Sequence, residues 1–296
     1  MALISVSPDE PNRQWTYRDL LEDAERAAHW LLERFEPGDH ITVWSPNLAE
    51  WVVLQHGAAM AGLVLVTANP SLRGAELKYV LEQSGSVGIA FADEFRGTDM
   101  RALLTDVLSD VPPAVREHIA FADWLEQVRA IDIHSRSLPQ VAPDSPAQLQ
   151  YTSGTTGFPK GAKLSHRAMV TNASYVQRRA LSSDGVIAVS AMPLFHTAGS
   201  GLACLGTLTQ RGTLVLCVVF DPELVLRSIQ DWGGPAATSV SRPCCAPSSI
   251  IPASTTTTCR ASRSCNPAAT PSHLDWSTSA NPDSSSSSPP STVRPS

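Results

Sequence analysis

Apolar residues at Leu20, Ala24, Ala27, Leu31 and Phe35 recur at helical spacing, and Pro37-Gly38 ends the run. Thr16 stands at the N-cap of that predicted helix, with Asp19 at capping-box spacing. "HITVWS", from His40, then reads as a strand. A helix through "AEWVVLQHGAAMAG", a strand "LVLVTA", a helix "AELKYVLEQSG" and a strand "SVGIAFAD" follow. After the Pro112-Pro113 break the pattern predicts a strand "HIAFAD" and a short helix from Trp124. "DIHSRSLPQVAPDSP" is polar and proline-bearing, a linker between subdomains. Beyond it come strands "AQLQYTS" and "KGAKLS", a helix from Ser165 to Ala180, a strand "GVIAVSA" and a helix "GLACLGTLTQ". A strand "TLVLCVV" and a helix from Pro222 to Trp232 complete the series. Strands alternating with helices over this length predict an α/β fold with mostly parallel sheets flanked by helices. The expected division is residues 1–140 as a first subdomain and 141–232 as a second, incomplete one.

From Gly233 to Ser296 the alternation stops. This stretch has no Lys, Glu, Phe, Tyr or Met, and Ser, Thr and Pro make up more than half of it. Such a composition predicts a disordered, low-complexity tail that builds no packed domain.

Composition narrows the function. A formal charge of −6 argues against a nucleic-acid partner, which needs a basic surface. No apolar run is long enough for a membrane span, and "MALISVSPDE" lacks the charged and apolar regions of a signal peptide. The expected location is cytoplasmic. Only Cys204 and Cys217 precede residue 240, so the folded part has neither a disulfide framework nor metal-ligand spacing. Cys217 and Met192 read as core residues.

The chemistry concentrates in "YTSGTTGFPKGAKLSH", Tyr151 to His166. Gly154, Gly157 and Gly161 free the backbone so that successive N–H groups can converge on one point. Ser153, Thr155 and Thr156 add hydroxyl donors and Lys160 a mobile positive charge, a set suited to a polyphosphate. It is not a Walker P-loop, because no Gly-Lys-[Ser/Thr] follows Gly154 at the required spacing. The predicted order is strand, loop, strand, with Ser165 capping the next helix. The competing reading is an ordinary Gly/Thr surface hairpin.

This run resembles the phosphate-binding signature of the adenylate-forming superfamily, which includes acyl-CoA synthetases, coumarate-CoA ligases, luciferases and peptide-synthetase adenylation domains. "WTYRDLLEDAERAAHWL", "PGDHITVWSPNLAEWVV", "AGLVLVTANPSLRGAELKYVLEQSG" and "MPLFHTAGSG…RGTLVLCVVFDPELVLRSI" resemble successive blocks of that family in order. The last two are most similar to the fatty-acid–CoA ligase branch. The resemblance implies an enzyme that activates a carboxylic or fatty acid with ATP and Mg2+ to an acyl-adenylate, then transfers it to coenzyme A. It implies nucleotide contacts from Thr152, Ser153, Gly154, Thr155, Thr156, Gly157 and Lys160. It puts His196 of "PLFHTAG" beside the acyl pocket, although a histidine satisfied at a strand-to-helix turn fits equally. Gly199 and Gly201 would leave room for an acyl chain, or let a helix pack closely.

The family's later motifs are not visible here: a GGAP strand-loop, the YGxTE motif with its magnesium-binding acid, a ribose aspartate and a C-terminal catalytic lysine. The tail, read from the third base of each codon with free bases chosen as G or C, restores part of that continuation. "SVSRPCCAPSSIIPA" becomes GVPAVLRAVVDHPG, and "TTCRASRSCNPAA" becomes DLSRVAVVQPGG when the Cys259 codon ends in T. The expectation is therefore an out-of-frame tail after Trp232 and a truncated, inactive chain. The alternatives are a residual nucleotide-binding module and an inert gene product. With later strands missing, edges such as "TLVLCVV" are expected to face solvent.

Overall fold

The computed structural model describes residues 1–109, 114–133, 137–152, 159–180 and 184–232. The chain runs β1 (Leu3–Val6), β2 (Arg13–Trp15), α1 (Tyr17–Leu32), β3 (His40–Trp44), α2 (Ala49–Ala61), β4 (Val64–Ala68) and α3 (Gly74–Ser84). Next come β5 (Gly88–Phe91), the short pair β6 (Glu94–Phe95) and β7 (Thr98–Asp99), α4 (Met100–Ser109), β8 (Glu117–Ala120) and α5 (Phe121–Arg129). Then follow β9 (Pro146–Thr152), β10 (Lys160–Ser165), α6 (His166–Ala180), β11 (Ile187–Ser190) and a π-helix (Ala198–Leu205). α7 (Gly206–Thr209), β12 (Thr213–Cys217) and α8 (Pro222–Trp232) close the described part.

Local signals form as the sequence predicts. Thr16 Oγ1 accepts the Asp19 amide at 3.1 Å while Asp19 accepts the Thr16 amide at 2.9 Å, a reciprocal cap on α1. The Ala168 amide donates to Ser165 Oγ at 3.2 Å, so Ser165 caps α6.

Two sheets carry the fold. The larger has the order β10-β9-β4-β3-β5-β8, parallel throughout except that β10 runs antiparallel to β9. The smaller has the order β11-β12-β1-β2, parallel except for β2. Strand alternation sorts their faces. Ile41, Val43 and Leu65 of the larger sheet join Leu3, Leu214 and Leu216 of the smaller in one core with α1, α2 and α5. The other face of the larger sheet, with Trp44, Val66, Ile89 and Phe91, packs on Leu77 and Val80 of α3 and Met100 and Leu104 of α4. Ile4, Val189, Val215 and Cys217 turn toward Val225 of α8. The result is a layered α/β architecture in which one helical layer serves both sheets.

Several elements differ from the sequence reading. The strand expected through Asp123 stops at Ala120, because Phe121, Trp124, Leu125 and Val128 form a buried helical stripe. β1, β2, β6, β7 and α4 were not anticipated. Neither was the pairing of β1 with β12, Leu3 opposite Leu214, which connects opposite ends of the described chain. β12 consequently lies between β11 and β1, and its expected solvent-facing edge is covered on both sides. Strand exchange also crosses residue 140: β9 and β10 extend the sheet of β3, β4, β5 and β8, while β1 and β2 extend that of β11 and β12. The expected tail, 233–296, lies outside the described residues. Among the described residues, no helix is long and apolar enough to cross a membrane.

Candidate functional site

β9 lies beside β4, with Leu65 opposite Gln148 and Thr67 opposite Gln150, and Thr152 at its carboxyl end. In open parallel sheets that end is where ligands gather. β10 returns antiparallel, putting Lys160 opposite Thr152. The Thr152 hydroxyl donates to the Lys160 carbonyl at 3.4 Å. Both side chains are exposed, and among the described residues no acid forms an ion pair with Lys160. The two strands expected on either side are thus present and paired, whereas Ser153, Gly154, Thr155, Thr156 and Gly157 lie outside the described residues.

His196 lies on a turn between β11 and the π-helix. Its amide donates to the Pro193 carbonyl at 3.0 Å, and its own carbonyl accepts from the Gly199 and Ser200 amides at 2.9 and 3.1 Å. The Ala198 amide donates to His196 Nδ1 at 3.1 Å. An accepting Nδ1 puts the proton of the neutral ring on Nε2, so this exposed histidine offers an N–H donor outward. A Cβ on Gly199 would lie 2.1 Å from the Pro193 carbonyl oxygen, so close backbone approach requires glycine there. A Cβ on Gly201 would meet nothing within 4 Å.

Two polar residues the sequence reading missed hold these parts together. Gln150, 6% exposed, donates from Nε2 to the Phe195 carbonyl at 2.9 Å, tying the strand that enters the loop to the residue before His196. Asn47, just beyond β3, donates to the carbonyls of Met192 and Cys217, each at 3.1 Å, and accepts the Leu194 amide at 2.8 Å. Polar residues interrupting buried apolar runs were the available signal: "AQLQYT" alternates glutamine into the sheet, and Asn47 falls in "SPNLAEWVV".

The expected helix from Gly201 begins earlier and is wider, as a π-helix. Side-chain amides satisfy carbonyls along it: Gln55 Nε2 donates to Ser200 at 3.4 Å, and Gln177 Nε2 to Leu202 at 2.6 Å. Gln148 Nε2 reaches the Ser200 hydroxyl at 3.3 Å. π-turns of this kind recur at functional sites. Burial raises the Cys204 thiol to about 12 and that of Cys217 to about 11, which keeps both protonated and unreactive. Burial lowers His166, whose Nε2 is enclosed without a partner. Its neighbour Arg167 instead forks onto Asp144 at 2.7 and 3.1 Å. Among the described residues, no group of three His, Cys, Asp or Glu side chains is placed to hold a metal ion.

The family model described as AMP-binding enzyme matches residues 1–242. The chain belongs to the AMP-binding enzyme family. Its relatives include the mitochondrial medium-chain acyl-CoA ligase ACSF2 of Bos taurus, 29% identical over 249 residues, covering 74% of this chain and 40% of the relative. An octahydro-indenyl-propanoyl:CoA ligase of Rhodococcus jostii is 34% identical over 216 residues, covering 66% of this chain and 41% of the relative. Among solved structures, the N-terminal domain of FACL13 from Mycobacterium tuberculosis superposes with a TM-score of 0.67 at 25% identity, over 77% of this chain and 56% of that one. ATP-bound MatB from Rhodopseudomonas palustris has the same fold, with a TM-score of 0.64 at 22% identity over 77% of this chain and 44% of that one. The chain spans about two fifths of the length of the curated relatives it matches.

Proposed function

We propose that this chain carries the ATP-phosphate-binding half of an acyl-CoA ligase. In that reaction a carboxylate attacks the α-phosphorus of ATP, expels pyrophosphate and leaves an acyl-adenylate, which the coenzyme A thiolate then converts to a thioester and AMP. Both the phosphorus centre and the departing pyrophosphate concentrate negative charge, so donors fixed in advance are what the site must supply. The amides and hydroxyls of Thr152, Ser153, Gly154, Thr155, Thr156 and Gly157, with the Lys160 ammonium, take that role at the β- and γ-phosphates. His196 offers its Nε2–H beside the acyl group, with Gly199 keeping its turn tight.

The observation that carries this reading is the Gln150 bond to Phe195, which links the strand leading into the loop with the turn of His196. Titration of the 296-residue chain with Mg-ATP tests it. Lys160→Ala is expected to weaken binding about tenfold or more while leaving the fold intact, as charge-assisted hydrogen bonds contribute about 1.5–3 kcal/mol. Unchanged affinity in a folded variant would reduce Lys160 to a surface charge.

A second reading, tested separately, is that the 296-residue chain by itself binds nucleotide without turnover. Removing one positioned donor typically costs about 10²–10³ in rate. Fatty-acid-dependent pyrophosphate release is therefore expected at background, and robust release would refute this part. Sequencing the DNA around the Trp232 codon decides the out-of-frame reading.

A further inference from the structure

α3 reaches both the end of β9 and the residue before β10. Tyr79 and Gln83 are four residues apart, hence on one face of that helix. The Tyr79 hydroxyl donates to the Pro159 carbonyl at 3.1 Å, immediately before β10. The Tyr151 hydroxyl, on the penultimate residue of β9, donates to Gln83 Oε1. One helix therefore holds the strand entering the loop and the residue leaving it. Leu77, Val80 and Leu81, each no more than 1% exposed, anchor α3 to the larger sheet, and the Tyr79 ring packs beside them while its hydroxyl makes the contact to Pro159. Burial raises the Tyr151 hydroxyl to about 12, so it remains a protonated donor throughout the physiological range.

We propose that Tyr79 and Gln83 are positioning residues: they clamp the end of β9 and the start of β10 and so set the spacing of Thr152 and Lys160, which meet a nucleoside triphosphate. This rests on the loop being the phosphate site. It adds that the affinity of the loop is set from α3, by side chains that touch no phosphate. A neutral hydrogen bond contributes about 0.5–1.5 kcal/mol, so losing either one is expected to weaken triphosphate binding about three- to tenfold.

The test uses Tyr79→Phe, Gln83→Met and the double variant in the full chain, each deleting the bond with little change in volume. Calorimetry with Mg-ATP should show the three- to tenfold loss, while AMP, which lacks the β- and γ-phosphates, binds as in the parent. Melting temperatures should fall by no more than the few degrees each lost neutral hydrogen bond accounts for, at about 2–4 °C per kcal/mol. Trypsin supplies a readout without ligand: cleavage after Lys160 should accelerate several-fold as the stem is released. Equal losses for ATP and AMP together with a larger fall in melting would make the residues structural only and overturn the proposal. Unchanged Mg-ATP affinity in variants whose Lys160→Ala counterpart loses it would overturn the clamp and leave the phosphate site standing. A parent chain that binds no Mg-ATP would overturn both, and the cleavage rate would then report only whether the stems are held.

Discussion

The side-chain amide of Gln150 and the carbonyl of Phe195, 45 residues apart in sequence, meet at 2.9 Å. The same Nε2 also lies 3.3 Å from the Tyr151 carbonyl, and Gln150 Oε1 accepts from Gln148 at 3.0 Å. Gln150 is thus held from both ends of its amide, and it holds the turn of His196 against the strand that delivers Thr152.

That geometry distinguishes two substitutions at one position. Gln150→Leu leaves the Phe195 carbonyl without its donor, a cost of about 1–3 kcal/mol. At about 2–4 °C per kcal/mol for a domain this size, melting should fall by several degrees. Gln150→Glu should be worse, because an ionised carboxylate faces two carbonyl oxygens with no proton to offer. Melting of the Gln150→Leu variant at the parent temperature would show that the amide donor is not what holds this contact.

Gly199 and Gly201 make a matched pair. Gly199→Ala puts a methyl 2.1 Å from the Pro193 carbonyl oxygen, which only backbone movement can relieve. It should therefore distort the His196 turn and cost about 1–3 kcal/mol. Gly201→Ala meets open space, and alanine's better helix propensity should leave stability unchanged or raise it by up to about 1 kcal/mol. Thermal melts of the two single variants check the contrast.

Acid should destabilise the fold before its carboxylates titrate. Burial lowers His56 and His166 from the ordinary value of 6.5, the His56 shift being partly opposed by its 2.8 Å contact with the Val52 carbonyl. Below about pH 7 the unfolded chain then binds protons that the folded chain refuses. Stability is accordingly full above that pH and declines as pH falls through 6.5 toward the lowered folded values. Asp144 and Asp184, lowered by their Arg167 and Arg211 partners, add a separate loss at more acidic pH, below about 4. Melting temperature should drop between about pH 7 and 5, and His56→Gln with His166→Gln should flatten that slope. A parent profile already flat across the window would contradict the buried-histidine account.

Cys204 and Cys217 should resist alkylation at pH 8 in the native chain and react fully in denaturant, since burial raises both thiols well above that pH. Peptide mapping by mass is the appropriate measurement, because four more cysteines lie beyond residue 240. Rapid native labelling of either residue would mean that its layer opens readily.

Features set by neighbours in the chain were legible from the sequence. The Thr16–Asp19 cap, the Ser165 cap, the β9–β10 stem and the strands at His40–Trp44 and Val64–Ala68 each depend on residues a few positions apart. Strand pairing was not legible. Alternation tells "TLVLCVV" which side chains share a face, but it does not say that β1, about 210 residues earlier, will cover one edge. Nor could the sequence assign Gln150 and Asn47, because a glutamine or asparagine in an apolar strand pattern gains its meaning from the carbonyl it meets. Those carbonyls arrive from 45 and up to 170 residues away. The buried π-helix follows the same logic: its carbonyls at Ser200 and Leu202 and its Ser200 hydroxyl find glutamine donors only after α2, α6 and β9 have packed around it. Backbone preference and capping act locally, while the satisfaction of buried polar groups is decided among whichever segments packing brings together.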